Sequence, residues 1–148
     1  MGLLKPPASL PFNITRMGYV VLTSSDLDKT RFFYESGLGL EVMFQDENTL
    51  CLRAIEETCH HSLVFEKTNI KGPGKCRRVG YRMQTDDDIK IACDYFSVRG
   101  DVVRYVERPF QGLTIEVIDG IGVPVEFCSS MNQSRNRMQD FHTHSGGK

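Results

Sequence analysis

An internal repeat limits the folds open to this chain more than any other feature of its sequence. The motif Met-Gly-Tyr at 17–19 returns as Val-Gly-Tyr at 79–81, and further pairs of similar residues share the same spacing of 62. The matched pairs are Tyr19 and Tyr81, Asp26 and Asp88, Phe33 and Tyr95, and Phe65 and Phe127. A solenoid needs three or more units to bury a continuous core, so two copies argue against that architecture. The repeat predicts one domain built from two related halves.

The first half reads as a strand, a helix and three more strands. β-branched and aromatic residues at 16–23 predict the strand, and the Ser-Ser-Asp run at 24–26 provides helix N-cap side chains. The helix is predicted over 27–36, where Gly37 ends it in the left-handed conformation. Three strands are predicted to follow at 40–44, 49–54 and 61–66.

The second half repeats that order. A strand is predicted at 78–84, and three consecutive aspartates at 86–88 favour the start of a helix that Gly100 ends. Three strands are predicted to follow at 101–107, 112–118 and 123–128. The sequence therefore predicts two βαβββ units in tandem.

The predicted boundaries leave a short segment at each end of the chain. Residues 1–13 contain three prolines and predict an extended N-terminal arm, whereas the polar residues 130–148 predict a linker or tail. The predicted domain covers residues 14–129, and its two units span 14–66 and 77–128.

Composition excludes several classes of protein. Lys and Arg total 18 against 19 Asp and Glu, and this near-neutral balance argues against a nucleic-acid partner. No run of eighteen apolar residues occurs, which predicts no transmembrane helix and no membrane partner. The five cysteines are odd in number and form no Cys-x-x-Cys motif, so neither a disulfide framework nor a structural zinc site is expected. Reduced thiols favour a cytoplasmic location.

Three segments of the chain resemble the vicinal oxygen chelate superfamily, which includes glyoxalase I, bleomycin-resistance proteins and extradiol dioxygenases. They are the run DLDKTRFFY at 26–34, the Gly-Leu-Gly-Leu at 37–40, and the closing segment DGIGVPVEF at 119–127. The resemblance implies an α+β fold in which the tandem βαβββ units form one curved mixed sheet around a cup.

A narrower resemblance lies in the middle of the first unit. Residues 46–53 (DENTLCLR) and 56–64 (EETCHHSLV) are similar to the N-terminal domain of the 3,4-dihydroxyphenylacetate (homoprotocatechuate) 2,3-dioxygenases. Those extradiol enzymes carry two such domains in one chain. The resemblance implies that Fe(II) or Mn(II) belongs to a C-terminal domain, and that this chain ends where that domain would begin.

The resemblance also implies where a metal would sit in a cup of this kind. The ligands are a histidine on the first strand of each unit and a glutamate on the last strand of the second, a set suited to Fe(II). The corresponding positions hold Tyr19, Tyr81 and Glu126. We therefore expect a degenerate cup with no metal, cofactor or catalytic residue, in which both tyrosine rings fill the space and their hydroxyls bond Glu126 or water.

The four histidines of the chain are other candidate metal ligands. His60 and His61 are adjacent, so on a strand they are predicted to face opposite sides and not to chelate one ion. His142 and His144 lie in the polar tail, where a solvated linker is the expected role.

Three functions follow from these features. The first is the N-terminal, non-metal-bearing domain of an extradiol catechol dioxygenase, for which we expect catechol and O₂ as substrates, a second domain as partner and a homo-oligomer. The second is a stand-alone, metal-free small-molecule-binding protein of the bleomycin-resistance type. The third, a glyoxalase-like lyase or isomerase, needs four ligands and is disfavoured because Val64 stands at the fourth position.

Overall fold

The computed structural model describes residues 9–137, and two βαβββ units make up most of them. The elements of the first unit are β1 (Ile14–Ser24), α1 (Leu27–Arg31), β2 (Glu41–Gln45), β3 (Thr49–Arg53) and β4 (Leu63–Lys67). A π-helical segment, Phe32–Gly37, continues α1. The elements of the second unit are β5 (Cys76–Met83), α2 (Asp86–Arg99), β6 (Val103–Val106), β7 (Thr114–Ile118) and β8 (Pro124–Cys128).

All eight strands belong to one mixed sheet, which confirms the predicted α+β fold. The strand order is β2-β3-β4-β1-β5-β8-β7-β6. The first strand of each unit pairs in parallel with the last strand of the same unit, and β1 and β5 pair antiparallel at the centre. Read outward from this central pair, both halves have the same order of strands. The internal repeat of the sequence is therefore a repeat of structure.

The two faces of the sheet bury different sets of residues. One face packs against the helices: Leu27 of α1 covers Leu50 and Phe65, while Ile89 of α2 covers Ile115 and Phe127. The opposite face forms the cup, whose buried apolar residues are Tyr19, Val21, Cys51, Cys59, Val64, Cys128 and Met131. Because side chains alternate along a strand, each strand contributes to both faces.

Side-chain caps define where the two helices begin. The Asp26 carboxylate accepts a hydrogen bond from the backbone N–H of Lys29 at 3.0 Å, as the sequence predicted for α1. At α2 the cap is Thr85, one residue before the predicted aspartates, and Asp88 completes a capping box with it. Gly100 ends α2 with φ = +85°.

The segments flanking the predicted domain pack against it where they are described. Phe12 is buried with its ring 5.5 Å from that of Tyr95, and Met131 is buried in the cup. The division into arm, domain and tail stays a prediction. His142 and His144 lie outside the described residues.

Two further sequence features can be located in the structure. All five cysteines are free, and burial raises the pKa of the Cys51 thiol to about 12 and that of Cys128 to about 11. Neither helix within residues 9–137 is long and apolar enough to cross a bilayer.

Candidate functional site

The structure brings together two of the three predicted cup residues, Tyr19 and Glu126. The Tyr19 hydroxyl donates its proton to Glu126 Oε2 at 2.5 Å, and the side-chain amide of Gln111 lies 3.1 Å from the same hydroxyl oxygen. Tyr19 is 2% exposed and Glu126 is 0% exposed. Burial, with the nearby Glu126 carboxylate, raises the pKa of Tyr19 far above its usual range. The hydroxyl therefore stays protonated and acts as a donor to the carboxylate.

Tyr81, the third predicted cup residue, lies on the opposite face of the sheet. It pairs in register with Phe127, the neighbour of Glu126, and its ring stacks on Phe127 at 5.9 Å between centroids. The residue in register with Glu126 is Gly80. A β-bulge in β1 explains why Tyr19 and Tyr81 face opposite sides. Met17 pairs with Tyr81, but the next pair is Tyr19 with Gly80, so β1 advances by two residues while β5 advances by one. Because of this extra residue in β1, the tyrosine of the first motif faces the cup, whereas the tyrosine of the second motif faces the helices.

The Tyr19 ring occupies the space directly above Gly80, and it fits there because glycine has no side chain. A Cβ atom at Gly80 would lie 2.2 Å from the Cε1 and Cζ atoms of Tyr19, far inside van der Waals contact. Gly80 therefore takes the place predicted for Tyr81, beside Tyr19 and Glu126 on the cup face of the sheet, which also carries Val64.

Arginines compensate the buried charge of Glu126. Arg108 lies with both Nε and Nη2 at 2.6 Å from Glu126 Oε1, and Arg78 Nε lies 3.1 Å from Glu126 Oε2. The same guanidiniums pair with two other inward carboxylates, Arg108 with Glu116 at 3.2 Å and Arg78 with Glu66 at 2.6 Å. A buried carboxylate is stable only when it is paired in this way.

Arg78 and Arg108 were not among the site residues predicted from the sequence, although the sequence contains a signal for them. Glu116 and Glu126 each stand in the middle of a mostly apolar strand, β7 or β8, and they are directly opposite each other in register. Two adjacent inward carboxylates require cationic partners. Their partners come from elsewhere in the chain, which strand patterning alone does not identify.

This donor set does not fit the two-histidine, one-carboxylate site of an Fe(II) dioxygenase. Val64 and Gly80 offer no ligand atom, the Tyr19 hydroxyl is held protonated, and both Glu126 oxygens are engaged. Among residues 9–137, no three His, Cys, Asp or Glu side chains are grouped so as to hold a metal ion.

A cavity of about 140 Å³ lies beside Tyr19, over the strands of the first unit. The loop between β6 and β7, residues 107–113, covers this cavity and is called the roof loop below. It contributes Arg108, Phe110 and Gln111 to the cavity wall. Phe110 has φ = +66°, an uncommon conformation for a bulky residue. Its ring stacks on His60 at 3.8 Å and lies 5.2 Å from Phe44, so the loop of one unit is held against the other.

His60 and His61 lie side by side, contrary to the prediction that they face apart. Their Nδ1 atoms are 2.9 Å apart. The prediction assumed a strand from residue 61, but β4 begins at Leu63, and the two histidines precede it in non-strand backbone. Strand alternation therefore does not apply to them. His61 is 3% exposed and lines the cavity, and burial lowers its pKa to about 4.

The lowered pKa of His61 predicts a pH-dependent stability. An unfolded histidine titrates near pH 6.5, so between about pH 6.5 and 4 the folded state binds fewer protons than the unfolded state. We therefore expect the free energy of unfolding to fall by about 2 kcal/mol when the pH is lowered from 7 to 5, because of His61 alone. Urea denaturation of wild type and His61→Gln at both pH values measures this term. Equal pH dependence in the two proteins would contradict it.

With this geometry in view, comparison with known proteins identifies the family. Residues 16–127 match the family model of the glyoxalase/bleomycin resistance protein/dioxygenase superfamily. The chain belongs to this superfamily. The resemblance stated from the sequence is thereby confirmed, and so is the fold that it implied.

Within the superfamily, the solved structures similar to this chain include ring-cleaving dioxygenases. Homoprotocatechuate 2,3-dioxygenase from Arthrobacter globiformis is 30% identical with a TM-score of 0.82, covering 97% of this chain and 45% of that one. A variant of the Brevibacterium fuscum enzyme is also 30% identical with a TM-score of 0.81, covering 96% of this chain and 40% of that one.

A curated relative shows the same partial coverage. The manganese-dependent 2,3-dihydroxybiphenyl 1,2-dioxygenase of Geobacillus genomosp. 3 is 23% identical over 94 residues, which are 64% of this chain and 29% of that protein. The chain thus spans less than half the length of each of these three dioxygenases.

Proposed function

We propose that this chain is the N-terminal, non-metal-bearing domain of an extradiol ring-cleaving dioxygenase of the 3,4-dihydroxyphenylacetate type. The whole enzyme would open a catechol with O₂ during breakdown of aromatic compounds in the cytoplasm. Fe(II) or Mn(II) would be bound in a second domain of the same chain. The present domain would supply packing surface for that partner and for the subunits of a homo-oligomer.

The pairing of Glu126 carries this proposal. Glu126 stands where the superfamily places its metal-binding glutamate, yet its charge is compensated by Arg78 and Arg108 and its Oε2 atom also accepts from Tyr19. A divalent cation would have to displace two guanidiniums at a site that is completely buried. Such an arrangement suits a structural role for the cup.

The extent of the matches supports the same proposal. Nearly the whole chain aligns with homoprotocatechuate dioxygenases at 30% identity, but it accounts for 40–45% of their length. A chain of one tandem βαβββ pair fits one domain of a two-domain enzyme.

A ring-cleavage assay tests the proposal. Residues 1–148, loaded with Fe(II) under anaerobic conditions and then given 3,4-dihydroxyphenylacetate and O₂, are expected to form no ring-opened semialdehyde above the metal-only control. The full coding sequence, assayed in parallel, is expected to form it. Semialdehyde production by residues 1–148 that disappears in Glu126→Gln would overturn the proposal.

The cavity beside Tyr19 favours a second candidate function. A metal-free binding protein of the bleomycin-resistance type needs a cavity within the cup, and aromatic side chains contribute to the walls of this one. Saturable binding of a small molecule by residues 1–148, with no catalytic activity in the full coding sequence, would favour this candidate over the first.

A further inference from the structure

We propose that the cavity beside Tyr19 is a binding site for a small, uncharged phenol whose hydroxyl pairs with His61. Glu126 is not among the residues that line this cavity, so the cavity lies to one side of the Glu126 carboxylate. The inference deepens the second candidate function and does not depend on the first, since the site would be present whether or not a second domain follows.

The size and walls of the cavity define the shape of the ligand. Its volume of about 140 Å³ is close to that of engineered apolar cavities that bind benzene, which are about 150 Å³. Apolar side chains from the four strands of the first unit and from the roof loop line it, namely Val21, Phe44, Cys51, Val64 and Phe110. A single aromatic ring is therefore the matching shape.

His61 supplies the polar contact for the ligand. The side chain is almost completely buried, and the contact made by its Nε2 atom is a long one, 3.5 Å to Gln111 Nε2. A buried ring nitrogen with so weak a partner has unused hydrogen-bonding capacity. A phenol hydroxyl both donates and accepts, so it can pair with this nitrogen in either tautomer of the histidine.

The charges around the cavity select an uncharged ligand. Each arginine in the wall is already paired, Arg78 with Glu66 at 2.6 Å and Arg108 with Glu126 at 2.6 Å. The Asp46 carboxylate accepts hydrogen bonds from two backbone N–H groups at 2.7 and 2.8 Å. An anionic ligand such as benzoate would find no uncompensated cation, and burying its charge would be costly.

Calorimetric titration of residues 1–148 with phenol, toluene and benzoate tests the proposal. We expect phenol to bind with a dissociation constant of about 1 mM or tighter, toluene about tenfold more weakly and benzoate more weakly than either. Val64→Phe, which fills the cavity, should abolish phenol binding. Val98→Phe, at a position that is 90% exposed on α2, should leave it unchanged.

His61→Leu gives an independent readout if Val64→Phe fails to fold. It should reduce phenol affinity to that of toluene while leaving toluene affinity within about twofold, because only the hydrogen bond is lost. Absence of saturable phenol binding to the wild type, unchanged phenol affinity in a folded Val64→Phe, an undiminished phenol preference in His61→Leu, or tighter binding of benzoate than of phenol would each overturn the proposal.

Discussion

Replacing Glu126 by glutamine is expected to lower the free energy of unfolding by about 3 kcal/mol or more. The substitution preserves the shape of the side chain but removes its charge, so Arg78 and Arg108 lose the carboxylate that compensates them at the centre of the cup. Removing one partner of a buried ion pair is costly because the other charge stays desolvated. Urea denaturation monitored by circular dichroism measures the loss.

A matched substitution shows that charge removal alone is not the cause. Glu107→Gln removes the same charge from an exposed position in the roof loop, next to Arg108. We expect it to change the free energy of unfolding by less than about 0.5 kcal/mol. Similar losses in the two variants would contradict the role given to Glu126.

Gly80→Ala is expected to destabilise the protein by about 3 kcal/mol, an unusually large effect for one methyl group. The new Cβ would lie 2.2 Å from the Tyr19 ring, which must move and weaken its 2.5 Å hydrogen bond to Glu126. Gly120→Ala is the matched control, since a Cβ there meets nothing within 4 Å. It should be close to neutral.

A double-mutant cycle assigns the effect of Gly80→Ala to the Tyr19 ring. Tyr19→Leu removes that ring, so the cost of Gly80→Ala in this background should be smaller by at least about 1 kcal/mol. Additive effects of the two substitutions would contradict the close packing of the Tyr19 ring on Gly80.

Most of the fold could be predicted from the sequence, because strand alternation and helix caps depend on neighbouring residues and the repeat shows that both halves share one order of elements. Two elements differ for local reasons: α1 ends at Arg31 and continues as a π-helical segment, and α2 is capped by Thr85. The strand predicted at 61–66 begins at Leu63 instead, because bends at residues 60 and 62 replace its expected start.

The cup was less predictable because its geometry depends on contacts between distant residues. Tyr19 and Glu126 were identified from their places on strands, and the structure joins them across 107 residues. Tyr81 was misplaced because one bulge in β1 reverses which residue of the motif faces inward. The pairing of Arg108 with Glu126 requires the folded position of a loop, which no periodic pattern encodes.

Arg78 and Arg108 neutralise Glu126, and Tyr19 donates a hydrogen bond to it, at the position where the family resemblance implies a metal-binding glutamate. Titration of residues 1–148 with Mn(II), with the free ion counted by electron paramagnetic resonance, tests this claim most directly. We predict that the free-ion signal rises in proportion from the first addition, in the wild type and in Glu126→Gln alike. Uptake of one Mn(II) per chain at micromolar concentration, lost in Glu126→Gln, would contradict it.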